Sequence, residues 1–364
     1  MRFGGPFMSR LPHLLAATFL GAAVLAQPAA AQDFTTATFA GTTIWVGGGV
    51  QFLSLPDINF TAKRQSNGSF RRQTNSHSDW LDFGGSTGGG LETALGNWGG
   101  FRVSGSVKGF WSSVDDDHTT QCQGAPGSAR CVVIDPTGAS GAVGAFLRTK
   151  TDRQADYWGG QAELKFATGA PKEVKPQIYR NDYFIAGFDV RGIDQDNRLR
   201  GTQGPTNVFT FNETIDTTYT GGYIGFGGEY SFGFIPGVKS VGGIYDRLGL
   251  RTYVNATAGL YNAETDYSGI FNYGFVRSPT SRLSLSNDEL AFIGTVSLET
   301  RKQLGARTSL SLWSDYEYIS SVPKMQYAGP NGATRIDDEA IFATRTMLRL
   351  NIGLGSQQLY PDQY

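Results

Sequence analysis

The sequence predicts an all-β fold, an antiparallel transmembrane up-and-down β-barrel of about 10 strands (10–12) with long extracellular loops. Three observations predict it. The most regular segment alternates apolar and polar residues, charges keep to one parity within the candidate strands, and long connections alternate with shorter ones. These are properties of strands that have lipid on one side and a polar interior on the other.

The clearest alternation lies in residues 342–354. Its even positions are apolar or Thr, whereas Arg345 and Arg349 occupy odd positions. A period of two residues predicts a strand with one apolar and one polar face. In a barrel, Leu350 and Ile352 would contact lipid and Arg349 would face the lumen. A soluble sandwich strand shows the same alternation with its polar face in water, so the rest of the chain must decide.

Nine further segments alternate in the same way, although the two nearest the N-terminus are weaker and rich in glycine. They span residues 42–55, 80–95, 101–111, 157–168, 182–191, 220–232, 247–261, 290–300 and 307–319. Each is close to the ~10 residues that a tilted strand needs to cross a bilayer. The sequence after the N-terminal leader lacks a run of about 18 apolar residues, so it predicts no transmembrane helix.

Nearly all the charge in these segments falls on their polar faces. We predict that the lumen-facing charged residues are Arg102, Lys108, Glu163, Lys165, Asp189, Arg191, Glu229, Arg247, Arg251, Glu299, Asp315, Glu317, Arg345 and Arg349. On the lipid face an Arg or Lys costs roughly 2–4 kcal/mol at the bilayer midplane, which accounts for the one-sided distribution. Because both signs are present, paired charges should fill a narrow lumen rather than line a wide water channel.

The connections between segments alternate in length. The long ones are residues 58–78, 114–155, 192–218, 266–287 and 320–337, and the shorter ones are 96–100, 169–180, 233–246 and 301–306. Long external loops that alternate with shorter turns are typical of membrane barrels. A soluble sandwich has no reason to sort its loops in this way.

Residues 1–31 have the pattern of a secretory signal peptide. Basic residues precede a short apolar run at 14–26, and alanines precede Gln32. The run is too short to span a membrane as a helix. We therefore expect cleavage before Gln32 and a mature barrel comprising residues 32–364.

The two cysteines, Cys122 and Cys131, lie in one polar connection. In an exported protein they should form a local disulfide. Metal binding would need more ligands, and we predict neither a metal site nor a cofactor. The net charge of −1 gives no reason to expect nucleic acid as a partner.

With these features, the chain resembles bacterial outer-membrane β-barrel proteins of the porin-like kind common in α-proteobacteria. The leader, the hairpin at 95–110, and the strands at 247–261 and 344–354 carry the resemblance. It implies the outer membrane of a Gram-negative bacterium, the barrel-assembly machinery as a partner, and contact with outer-membrane lipid and lipopolysaccharide. In such families the last strand often ends the chain on Phe or Trp. Here residues 355–364 follow it, which leaves the position of the assembly signal open.

Several functions remain open from the sequence. The leading one is an integral outer-membrane protein that could serve as a narrow pore or passive channel for small solutes. The first alternative is a surface adhesin or structural outer-membrane protein. In it, the basic loop residues Lys63, Arg64, Arg71 and Arg72 could hold the phosphates of lipopolysaccharide, or could be solvated. The sequence does not fix the oligomeric state.

An outer-membrane hydrolase of the omptin type is a further alternative. Asp115, Asp116, Asp117 and His118 follow one strand, and His77 and Asp79 end the first long loop. An Asp–His pair could make a water molecule more basic. Solvated acids, or acids that bind divalent cations between lipopolysaccharide molecules, explain the same pattern. We therefore predict no enzyme and no catalytic residue, and we keep a soluble periplasmic β protein as a last alternative.

Overall fold

The computed structural model describes residues 41–64, 70–75, 82–123, 130–134, 140–144, 146–168, 172–175, 178–230, 250–274, 280–327 and 334–354. The predicted signal peptide and the residues after Leu354 lie outside these ranges. Within them, no helix combines the length and the hydropathy needed to cross a membrane.

The described residues form strands almost throughout. In chain order these are β1 (Thr42–Leu53), β2 (Thr61–Arg64), β3 (Phe70–Gln73), β4 (Asp82–Trp98), β5 (Phe101–Gln123), β6 (Arg130–Ile134), β7 (Ser140–Gly144), β8 (Phe146–Thr168), β9 (Lys172–Lys175), β10 (Ile178–Gln203), β11 (Thr206–Tyr230), β12 (Leu250–Tyr273), β13 (Ser281–Gly305), β14 (Thr308–Gln326) and β15 (Arg335–Leu354).

Ten of the described strands form a closed antiparallel ring. Its order is β1-β4-β5-β8-β10-β11-β12-β13-β14-β15, and β15 pairs with β1 from Leu354↔Thr42 to Ala343↔Leu53. Closure leaves these ten strands without a free edge. The predicted up-and-down antiparallel barrel is confirmed, and each of the ten predicted segments contributes one strand of the ring.

Side chains alternate between the two faces of the wall. On β15, Leu350 and Ile352 are 38% and 42% exposed, whereas Arg349 is 6% exposed. On β5, the exposed apolar side chains run from Phe101 to Trp111. This stretch covers roughly 33 Å of strand, or a height of about 25 Å at a tilt of about 40°. The outer face therefore carries an apolar band as tall as the hydrocarbon region that membrane barrels cross.

Tight turns join strands at one end of the barrel. Gly99 and Gly100, with φ of 58° and 84°, connect β4 to β5, and glycine tolerates this left-handed conformation. Ala306 and Arg307 connect β13 to β14. The paired ends of β1 and β15 lie at the same end. This is the end that the loop pattern predicts to face the periplasm.

At the other end, the strands continue far beyond the apolar band. β10 and β11 run through residues 192–218, where the sequence predicted a long loop, and they meet at a turn formed by Gly204 and Pro205. That loop prediction is wrong. On β10 the extension has polar side chains on both faces, such as buried Asn197 and exposed Arg198. On β11, however, the buried side chains of Phe209, Phe211 and Ile215 alternate with polar residues, so this part of the predicted loop does carry a strand pattern.

The predicted loops at 114–155, 266–287 and 320–337 are also largely strand. β5 and β8, β12 and β13, and β14 and β15 all pair beyond the band. The long extracellular loops are therefore mostly a continuation of the barrel wall.

Four short strands form a second sheet in the connections at this end, in the order β3-β2-β6-β7. We call this sheet the cap. The Cys122–Cys131 disulfide links the end of β5 to β6, with the two Cα atoms 5.9 Å apart. The disulfide expected from the sequence is present, and it fastens the cap to the wall.

We predict that Leu350→Arg lowers the free energy of unfolding by roughly 2–4 kcal/mol, because the charge would enter lipid near the midplane. Leu354→Arg, at the edge of the band, should cost only about 0–1 kcal/mol. Urea unfolding of protein refolded into lipid vesicles measures both. Equal costs for the two variants would contradict the position assigned to the band.

Candidate functional site

A buried ion network crosses the barrel interior at the height of the apolar band. Arg191 on β10 pairs with Asp189 at 2.7 Å and with Glu317 on β14 at 2.9 Å. Tyr157 on β8 donates its hydroxyl to Glu317 at 2.6 Å and accepts a hydrogen bond from Arg191 at 3.2 Å. Arg191 and Glu317 are 2% and 4% exposed. Because β10 and β14 are not neighbours in the ring, these contacts span the lumen.

Two arginines of β15 extend this network. Arg345 pairs with Asp315 on β14 at 2.9 Å, and its guanidinium lies 3.5 Å from the ring centroid of Phe110 on β5. Arg349 lies 3.5 Å from the centroid of Trp313. Cation–π contacts of this kind gain strength when they are removed from water. The two arginines thus pack against acidic and aromatic side chains inside the lumen.

A second cluster is centred on Glu163 of β8, nearer the periplasmic end. Its carboxylate pairs with Lys108 at 3.3 Å and Lys165 at 3.6 Å, and it accepts a hydrogen bond from Tyr223 of β11 at 3.0 Å. Lys165 also pairs with Glu92 of β4 at 3.2 Å. Four strands are joined through this one buried carboxylate and its lysines.

A third cluster lies closer to the periplasmic rim. Glu229 pairs with Arg251 at 3.3 Å and accepts the Tyr253 hydroxyl at 3.1 Å. Glu299 pairs with Arg301 at 2.9 Å. Opposite charges are therefore in contact at three heights of the interior.

The remaining predicted lumen residues are Arg102 and Arg247. Arg102 donates to Asn181 at 3.3 Å. Arg247 lies outside the described residues. All the other charged residues predicted to face the lumen belong to the clusters above.

The alternation in the sequence puts Tyr223 and Tyr253 on the polar faces of their strands, but it did not identify them or Tyr157 as partners of the carboxylates. A tyrosine suits either side of such a wall, so its type alone gives no signal. Arg301 was missed for another reason. The sequence assigned residues 301–306 to a turn, but β13 continues to Gly305.

The chain after β1 turns into the mouth of the barrel. We call residues 54–60 the plug. Phe60 is completely buried, and its ring stacks on Phe211 of β11 with the centroids 4.5 Å apart. Arg153 of β8 donates to the Pro56 carbonyl at 2.8 Å. The plug therefore contacts β8 and β11, which lie on either side of β10, and occupies the mouth above the ion networks.

A buried carboxylate lies beside the plug, beyond the apolar band. Glu213 of β11 accepts hydrogen bonds from Tyr327 at 2.5 Å, Asn197 at 3.0 Å and Tyr267 at 3.2 Å. Burial raises the pKa of Glu213, although these hydrogen bonds oppose the shift. Burial also lowers the pKa of nearby Arg153. A cavity of about 10 Å³ adjoins both groups, which is space for about one water molecule.

The acidic run considered for hydrolysis is divided between the two faces of β5. Asp115 and Asp117 are exposed, whereas Asp116 and His118 are half-buried on the same parity as buried Val114. His77 and Asp79 lie outside the described residues. Among those that are described, no three His, Cys, Asp or Glu side chains are grouped as a metal site would require.

We predict that Arg191→Met lowers the free energy of unfolding by about 3–5 kcal/mol, because it leaves buried Asp189 and Glu317 without their shared partner. The control is Arg180→Met, which removes an exposed pair with Asp182 and should cost under about 1 kcal/mol. Urea titration in detergent micelles measures both. An Arg191→Met cost as small as the control would show that the network carries little stability.

The raised pKa of Glu213 predicts a pH dependence. Its protonated form is favoured in the folded state, so its contribution is fully present below the unfolded value of about 4.3. That contribution is lost as pH rises through the higher folded pKa. The stability of the wild type relative to Glu213→Gln should therefore fall from about pH 4 upward and then level off. A pH-independent difference in urea midpoints would contradict the shift.

The chain matches no protein-family model, and no curated protein is significantly similar to it in sequence. Among solved structures it is similar to the outer membrane protease OmpT from Escherichia coli, with 9% identity, a TM-score of 0.43, and coverage of 87% of this chain and 98% of that one. A Pseudomonas aeruginosa FadL homologue gives 7% identity, a TM-score of 0.26, and coverage of 87% and 91%. The P. putida toluene transporter TodX gives 6% identity, a TM-score of 0.18, and coverage of 87% of this chain and 91% of that one. At these values the fold assignment rests on the strand pairing of the chain itself.

Proposed function

We propose that the protein is an integral outer-membrane β-barrel of a Gram-negative bacterium with a closed lumen, which anchors and displays an extracellular β-structure. The observation that carries the proposal is the buried contact of Arg191 with Glu317, 2.9 Å long, which joins opposite walls of the barrel. A passage at this height would have to separate that pair.

The outer face supports the membrane location. Large apolar side chains are exposed on successive strands of the ring, among them Ile224 at 72% on β11, Leu260 at 59% on β12 and Leu290 at 71% on β13. A continuous apolar surface of this extent is unfavourable in water but suits lipid. The predicted signal peptide adds a route of export. The α-proteobacterial type and the need for assembly machinery remain predictions from the resemblance.

The filled interior favours an anchor over a pore. Ion clusters occupy three heights, and the plug packs in the mouth above them. Separating one buried ion pair costs several kcal/mol, because each charge would lose its partner in a poorly hydrated space. A narrow or gated pore would require several such pairs to separate together. The charges that the sequence predicts for the lumen are better placed to hold the walls together than to conduct solutes.

The extracellular half favours display. β10 and β11 remain paired from the band to the turn at Gly204 and Pro205, so they form a stiff extension of the wall. The disulfide between Cys122 and Cys131 holds the cap to the extension of β5. Such a stalk raises a defined surface away from the lipid, which suits the surface-adhesin or structural alternative.

Single-channel recording in planar bilayers tests the closed lumen. We expect no discrete conductance steps from the wild type. The variant Arg191→Ser/Glu317→Ser, which removes the central crossing pair, should raise the frequency of openings if it folds, as judged by heat-modifiable mobility in gels. Regular steps from the wild type would contradict a closed barrel. Recovery of the mature protein from the soluble periplasm would contradict the location.

A further inference from the structure

Arg349 of β15 is a buried cation whose hydrogen-bond donors the protein does not use. Arg349 is 6% exposed, and its guanidinium carbon lies 4.0 Å from the ring centroid of Trp45 on β1 and 3.5 Å from that of Trp313 on β14. Among the described residues, none forms an ion pair with Arg349, and its Nε is buried without a hydrogen-bond acceptor. The buried arginines 191 and 345, in contrast, each contact a carboxylate.

The two carboxylates that act on Arg349 electrostatically make their ion pairs elsewhere. Glu299 on β13 contacts Arg301 at 2.9 Å, and Asp315 on β14 contacts Arg345 at 2.9 Å. Moving either carboxylate toward Arg349 would weaken a pair that is already formed inside the lumen, which is costly. An anion from outside the protein can satisfy Arg349 without breaking these pairs.

Two glycines let the indole rings and the guanidinium lie against the wall. A Cβ on Gly47 would lie 2.8 Å from Cγ of Arg349, and one on Gly90 would lie 2.6 Å from Nε1 of Trp45. Packing against the backbone at these positions holds the side chains in place before any ligand binds. Preorganised groups lose little conformational freedom on binding, which favours affinity. We call Arg349, Trp45 and Trp313 the arginine–indole site.

The lumen is partly hydrated on the periplasmic side of the arginine–indole site. The side chains of Arg251 and Arg301, nearer the periplasmic rim, are 24% and 21% exposed. On the extracellular side, the pair of Arg191 and Glu317 has almost no exposure and closes the lumen. A ligand of the site therefore enters from the periplasm and returns to it.

The surroundings of Arg349 favour a planar anion with one negative charge. Because two indole rings cover much of the guanidinium, an anion must approach its edge, where a carboxylate accepts two parallel hydrogen bonds. A dianion such as phosphate would bring a second charge close to Glu299 and Asp315. The small exposed fraction of Arg349 excludes a bulky ligand, whereas a short alkyl group can pack against an indole ring.

We propose that the arginine–indole site binds the carboxylate of a small aliphatic monocarboxylic acid from the periplasm. The proposal adds a ligand to a protein whose proposed role is to anchor and display. It rests on the proposed closed lumen only for the direction from which the ligand enters.

Titration of the purified, folded protein with sodium acetate tests the proposal, in a non-ionic detergent and a chloride-free zwitterionic buffer at neutral pH. Tryptophan fluorescence reports binding, because two of the six tryptophans belong to the site. We expect a saturable change for the wild type. Acetate should also raise the urea midpoint of the wild type, since it binds the folded state and not the unfolded chain.

Three variants assign the binding to Arg349. Arg349→Met should weaken acetate binding by roughly tenfold or more, because hydrogen bonds to a charged group are lost. Arg349→Lys keeps the charge but not the planar fork, so it should also bind more weakly, and it carries the test if Arg349→Met does not fold. The matched control Arg102→Met removes a lumen arginine that donates to neutral Asn181, and it should change the affinity less than about twofold. Heat-modifiable mobility in gels shows whether each variant is folded.

The absence of a saturable acetate response in both measurements would overturn the proposal. So would equal losses in Arg349→Met and Arg102→Met, or responses to sodium chloride or sodium phosphate at concentrations as low as those of acetate. Conductance recorded from the same preparation keeps the two ideas separate. Silent bilayers without acetate binding would remove only this inference, whereas open channels would contradict the closed barrel and leave acetate binding to be judged by the variants.

Discussion

The contact between Arg191 and Glu317 is the constraint on which the rest of the interior depends. Two charges with almost no exposure have been taken out of water, and they compensate each other across the lumen. Tyr157, Asp189 and Arg345 then satisfy the remaining polar atoms of the pair. A contact of this kind fixes the diameter of the barrel at its height, because widening it would separate the carboxylate of Glu317 from Arg191 in a poorly hydrated space.

The alternation of side chains between the two faces of the wall suits both of its surroundings. Outward positions carry apolar side chains where there is lipid, and inward positions carry charges that neutralise one another. A shift of one residue in any strand would place arginines in lipid and leucines among carboxylates. Both errors are costly, so the interior network and the exterior band together enforce one register around the ring.

The sequence was sufficient for the part of the fold that lies in the membrane. The alternation of residues 342–354 and the one-sided charges predict ten strands, and the structure contains all ten. The predicted strands stopped short beyond the band, where water lies outside and the interior holds buried polar groups together with aromatic side chains such as Phe211 and Phe271. On β10, Asn197 and Arg198 differ in burial but not in polarity, so periodicity carries no information at these positions. On β11 the alternation of Phe209, Phe211 and Ile215 with polar residues was present in the sequence. Pairings across the lumen, such as Tyr157 with Glu317, depend on the curvature of the closed sheet and have no local pattern.

The pairing of β1 with β15 has a consequence for how the molecule forms. The first and last strands of the ring are neighbours, whereas β10 and β11 are joined by a two-residue turn and pair with each other locally. Contacts between distant segments form slowly, because a long loop must close before they contribute. The hairpin of β10 and β11 can therefore form early, whereas one edge of β1 stays unpaired until β15 is in place. Until then, the free edge of β1 can pair with strands of other chains, so correct assembly requires that this edge be shielded.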